Sequence, residues 1–176
     1  MSVAADEFAA LVTSLDPPLA VVTTVSDAER AGCLIGFHAQ SSIDPHRYVI
    51  WLSKANHTFR VGMHAQRFAV HFLTEDDGAL AALFGTESGD RTDKFGHCAW
   101  EAGAGGVPML VDCPHRFTAT RVALLDEGGD HVCIVLAPDH VGSTVTFRPL
   151  RLSQMSHLEA AHDAEERPEP GTQRAG

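Results

Sequence analysis

Two short stretches of this chain gather residues able to hold an anion and a planar ring. Ser53-Lys54-Ala55-Asn56-His57-Thr58 offers an ammonium, an amide, an imidazole and hydroxyls directly after an apolar run. Upstream, Gly36, Phe37, His38, Ala39, Gln40, Ser41 and Ser42 end another apolar run in small and polar residues. Gly36 would let the backbone approach a ligand closely. Such groups suit a phosphorylated planar cofactor, whose phosphate takes charge-assisted hydrogen bonds and whose ring edge takes main-chain N–H donors. Far downstream, Gly129-Asp130-His131 sets one ionisable ring at a strand start after a tight turn.

These groups need elements to carry them. Apolar positions at helical spacing predict a short helix over residues 6–15, stopped by Pro17-Pro18. Leu19 to Ser26 reads as a strand, Asp27 to Gly32 as a polar turn and Cys33 to Ser41 as the returning strand. Asp44-Pro45 breaks the ladder, because proline has no N–H to give. Tyr48 to Ser53, apolar on both faces, predicts an interior strand. Thr58 to His64 follows as a helix capped near Asn56, whose free first amides add to the anion seat. Phe68 to Leu73 is a further strand, and the Thr74-x-x-Asp77 spacing predicts a capping box before a second helix. Gly85 to Gly106, with Lys94-Phe95 inside it, reads as a long loop covering a site. Arg116 to Leu125 and His131 to Val141 form a hairpin about Asp126-Glu127-Gly128-Gly129, with a last short strand near Val145 to Leu152. The sum is a mainly β domain, a split antiparallel Greek-key barrel with short capping helices, over residues 1–155. Residues 156–176 read as an acidic, Pro- and Gly-containing disordered tail.

Composition narrows the partners. A chain of 176 residues with a formal charge of -10 lacks the clustered Lys and Arg that nucleic acid requires. No apolar run reaches membrane-spanning length, and Asp6 and Glu7 stand where a secretory signal wants positive charge, which predicts a cytoplasmic protein. The four cysteines contain no Cys-x-x-Cys pair and read as reduced packing residues. No Gly-x-Gly-x-x-Gly or P-loop spacing is present. Strand alternation puts His131 and Cys133 on one face, compatible with zinc, but no second tight pair accompanies them and no metal site is expected. A histidine-dependent metallohydrolase and a non-catalytic flavin- or haem-binding barrel stay open beside the cofactor enzyme.

In order and spacing the segments resemble the flavin-reductase-like family of the FMN-binding split barrels. The resembling residues are Leu34-Ile35-Gly36-Phe37-His38, Ser42-Ile43-Asp44-Pro45-His46, Ser53 to Thr58, Asp93-Lys94-Phe95 and Gly129-Asp130-His131. Gly36-Phe37-His38 replaces the small hydroxyl pair of that family, and His46 its second proline. The resemblance implies reduction of FMN, or FAD, by NADH or NADPH. The reduced flavin is then used in place or handed to a monooxygenase. It implies flavin contacts from Gly36 to Ser42, a phosphate seat at Ser53, Lys54, Asn56, His57 and Thr58, and Lys94 and Phe95 nearby. It also implies His131 at the nicotinamide side, and a homodimer in which the loop Gly85 to Gly106 walls the neighbour's site.

Overall fold

The computed structural model describes residues 3–155, so the tail expected at 156–176 lies outside the described residues. Helix α1 (Val3–Thr13) leads into strands β1 (Ala20–Ser26), β2 (Glu29–Ile35), β3 (His38–Ile43) and β4 (His46–Ser53). Helix α2 (His57–Gly62), strand β5 (Arg67–Phe72) and helix α3 (Gly78–Thr86) follow. The short pair β6 (Trp100–Ala102) and β7 (Pro108–Leu110) precedes the long hairpin β8 (Arg116–Leu125) and β9 (His131–Val141). The main sheet has seven strands in the order β2-β1-β5-β8-β9-β4-β3, every neighbouring pair antiparallel.

That order forces the sheet to curl. Strands β2 and β3 are its opposite edges, yet only Gly36 and Phe37 separate them in the chain. The chain therefore crosses from one edge to the other at a seam, and there the Trp51 amide, donating to the Phe37 carbonyl at 3.0 Å, carries the β3–β4 ladder one residue beyond β3. Register shifts at Gln40/Ser42, Thr118/Ala119 and Arg121/Ala123 supply the bends such curling needs. Inward residues alternate along the strands, and Ala20, Val22, Ile50, Leu52, Phe68, Val70, Ile134 and Leu136 fill the barrel, each fully buried. A second apolar cluster outside it packs Val21 and Leu73 against Phe84 of α3, Phe95 and Leu110.

Several boundaries differ from the sequence reading, each for a local reason. Strand β2 begins at Glu29 because Asp27 and Ala28 both take positive φ, 50° and 67°, forming a two-residue hairpin turn. The single strand expected over Cys33 to Ser41 is two strands on opposite edges, broken at Gly36-Phe37. Among the described residues no strand occupies Val145 to Leu152; single bridges, Pro18 with Arg151 and Thr74 with Pro149, tie that stretch down together with the buried Leu150 and the Phe147 ring stacked on His115. The loop Gly85 to Gly106 contains a 3-10 turn at Lys94–His97 and the β6 strand. Thr74 and Asp77 do meet, but the Asp77 carboxylate accepts from the Thr74 amide and hydroxyl, each at 2.7 Å, and caps no helix amide.

A seam cavity and its polar neighbour

The seam encloses a cavity of about 280 Å³. Leu34, Gly36 and Phe37 line one side and Trp51, Ser53 and Asn56 the other, with His131 at the strand mouth. Ser53 and His131 are direct cross-strand partners, since β4 and β9 pair through that position. The His131 ring stands edge-on to Phe37, centroids 5.2 Å apart, and its Nδ1 lies 2.9 Å from Asp130 Oδ1. Asp130 thus orients the ring and leaves its other nitrogen for the cavity.

A second cavity, about 320 Å³, lies along the first half of β2. Arg30, His57, Arg91 and Lys94 bring basic side chains to its wall, together with Phe95. Carboxylates answer them. His57 lies 3.2 Å from Glu29 and 3.0 Å from Asp90, and the Arg60 guanidinium also holds Asp90. The Arg60 hydrogen bond, with help from His57, keeps the Asp90 carboxyl below the usual carboxylate range. Gly89 fits flat against His57, where a Cβ would come within 2.7 Å of the ring. Consecutive residues join the cavities: Asn56 lines the first and His57 the second, while β2 runs past both.

The sequence-predicted residues divide accordingly. Gly36, Phe37, Ser53, Asn56 and His131 come together at the seam, and His57, Lys94 and Phe95 at the polar cavity. Lys54 lines neither; its ammonium donates to Asp126 at 2.8 Å and its amide to the Asp130 carbonyl at 2.8 Å, bracing the turn before His131. That contact, with the Gly128 amide, holds the Asp126 carboxyl low. Thr58 is not solvent-facing as a phosphate ligand would be; it is 2% exposed and bonds the buried Cys33 thiol. Ala39, Gln40, Ser41 and Ser42 run down β3 away from the seam. His38 spends both ring nitrogens, on Tyr48 at 2.6 Å and the Pro18 carbonyl at 3.0 Å. Asn56 stands at the start of α2, only six residues long, and makes no side-chain cap bond to it.

The sequence reading missed Arg30, Arg91 and Trp51. Arg30 stacks over Trp100 at 4.8 Å, a contact made across a loop that no local pattern announces. Among the described residues no three of His, Cys, Asp or Glu are grouped to hold a metal ion, and no helix is long and apolar enough to cross a membrane.

Residues 12–152 match the flavin reductase like domain, well over half of the chain. The chain belongs to the flavin reductase like family. Among related flavin reductases, the FMN reductase (NADH) SmoA of Agrobacterium fabrum is 33% identical over 116 residues, covering 65% of this chain and 63% of SmoA. The reductase subunit HsaB of a flavin-dependent monooxygenase from Mycobacterium tuberculosis is 26% identical over 74% of this chain and 68% of its own. The chain therefore spans somewhat under two thirds of SmoA's length. The flavin reductase HpaC, solved with NADP+, superposes with a TM-score of 0.69 at 22% identity, covering 82% of this chain and 98% of HpaC. That likeness extends the shared split-barrel fold to nearly the whole of HpaC.

Proposed function

We propose that this flavin reductase binds FMN with its ring in the seam cavity and its phosphate at the polar cavity, and that NADH reduces it there. The observation that carries the reading is the continuity of an aromatic-walled slot with a basic-lined one, through Asn56-His57 and β2. A flavin needs that combination: Phe37 and Trp51 flank a planar ring, and Arg30, His57, Arg91 and Lys94 stand where a phosphate would sit. A bound phosphate would compete with Glu29 and Asp90 for His57 and Arg60. Held there by Phe37 and Trp51 at its ring and by the basic wall at its phosphate, FMN would supply a two-electron hydride acceptor for NADH, which would leave as NAD+. This chain supplies orientation and a shielded wall. His131, held by Asp130, is the group placed to orient the nicotinamide at the seam mouth. SmoA supports NADH as the donor, and HsaB supports delivery of reduced flavin to a monooxygenase.

The same reading takes residues 1–155 as one catalytic unit acting in the cytosol, where its four unpaired thiols stay reduced, and as a homodimer. Anaerobic stopped-flow reduction of bound FMN by NADH tests the activity. His131→Ala is expected to retain FMN and lose on the order of 10²-fold in the reduction rate. A yellow protein that never oxidises NADH or NADPH would be a flavin-binding module instead. An unchanged rate and saturation in His131→Ala would remove that residue from the reaction.

A further inference from the structure

A third cavity, about 440 Å³, opens where β4 begins and β9 ends, and it shares no lining residue with the two cavities of the flavin site. Its wall is aromatic. Tyr48 stands edge-on to Phe117 at 5.1 Å and to Phe72 at 6.0 Å, and Pro138 and Val141 continue the apolar lining. The Tyr48 hydroxyl is already spent. His38 Nε2 must carry its proton toward the Pro18 carbonyl at 3.0 Å, so Nδ1 accepts from Tyr48 at 2.6 Å. Burial pushes this phenol up to about 12, which keeps it neutral.

The rim carries charge of one uncompensated sign. Asp139 is answered on both oxygens, by Thr118 at 2.5 Å and by Arg67 at 2.8 Å. Arg47 is not: its guanidinium donates only to the carbonyl of its own neighbour His46 at 2.8 Å, and no carboxylate pairs with it among the described residues. On a chain of net charge -10 this leaves an aromatic slot lined in part by an arginine that no carboxylate of the described residues pairs with.

We propose that this cavity is a binding site for a small aromatic carboxylate, its ring among Tyr48, Phe72 and Phe117 and its carboxylate on Arg47. The volume lies within the ordinary range of small-molecule pockets. Ring edges and faces in the wall suit a planar guest, and a guanidinium grips a carboxylate through two parallel N–H bonds. A cationic aromatic is disfavoured, since Arg47 would repel it and the Asp139 charge is already paired with Arg67.

Titration calorimetry of the full chain, saturated with FMN, with benzoate and 2-naphthoate is the test. One site per chain is expected, with benzamide, the neutral isostere, binding at least about tenfold more weakly. Arg47→Gln is expected to weaken benzoate by about ten- to a hundredfold while FMN affinity stays as in the parent. Val141→Trp, built from a position 54% exposed, narrows the mouth and is expected to exclude naphthoate. Four results would each overturn the proposal. These are no binding by the FMN-saturated parent, equal binding of benzamide, undiminished benzoate affinity in Arg47→Gln, and undiminished naphthoate binding in Val141→Trp.

Discussion

His71 shows how a single side chain can be structural in a chain with eleven histidines. It is fully buried on β5, with Nδ1 3.2 Å from the Val21 carbonyl and Nε2 accepting the Leu110 amide at 3.1 Å. The proton must sit on Nδ1, so the neutral ring staples β1 and β5 to β7. Burial, the largest cause, lowers its pKa to about 3. The unfolded chain titrates this ring near 6.5, so above that pH both states are neutral and the group adds no pH dependence. Below it the unfolded state takes the proton first, and stability falls until the folded pKa is reached. The loss approaches about 1.4 kcal/mol per pH unit. Urea unfolding at pH 7 and pH 4.5 is expected to show a steeper decline in the parent than in His71→Gln. Equal declines would mean that the ring takes up a proton without unfolding.

At the scale of elements, Lys94 joins parts the sequence presents as unrelated. The ammonium is buried, 5% exposed, and donates to the Gly32 carbonyl of β2 at 3.1 Å and to the Phe84 carbonyl of α3 at 3.2 Å. Burial pushes its pKa down, and among the described residues no carboxylate pairs with it at contact distance. A glycine at position 32 lets α3 lie close, because a Cβ there would meet Phe84 at 2.8 Å. Lys94 is thus a strut that fixes the wall of the polar cavity as well as a candidate phosphate neighbour. Lys94→Ala is expected to destabilise the fold by about 2–4 kcal/mol through lost packing and orphaned carbonyls. Chemical denaturation reads this directly. A variant of parental stability with weakened FMN binding would make Lys94 a ligand and not a strut.

For the whole molecule, the unusual surface is α1. Phe8 and Leu11 of α1 and Leu15 in the turn after it are 67%, 65% and 71% exposed, although their spacing predicts a face turned to a core. An isolated helix of this length is marginal in water, so burial against another surface is what would hold it. The loop Gly85 to Gly106, expected to wall a neighbour's site, packs Phe95 and Trp100 against its own chain, and we propose α1, with its exposed apolar residues, as a dimer contact. Sedimentation equilibrium is expected to find a dimer at micromolar concentration, and Leu11→Glu to shift it toward monomer. A parent that sediments as a monomer with FMN bound would end the dimer reading.

Strand periodicity, turn residues and proline breaks determined the β class, the long β8–β9 hairpin and the interior β4 strand, because each is written in neighbouring residues. The same local reading brought Gly36, Ser53, Asn56 and His131 forward as one site. It could not tell that β2 and β3 part at Gly36-Phe37 to opposite edges, since a two-residue link and a continuous strand have the same local pattern. Nor could it separate Lys54, spent on Asp126, from Lys94, or Thr58 in the core from His57 at the cavity wall. Those assignments depend on which residues distant in sequence arrive beside each other. Only the curling of a seven-stranded sheet onto its own edge decides that.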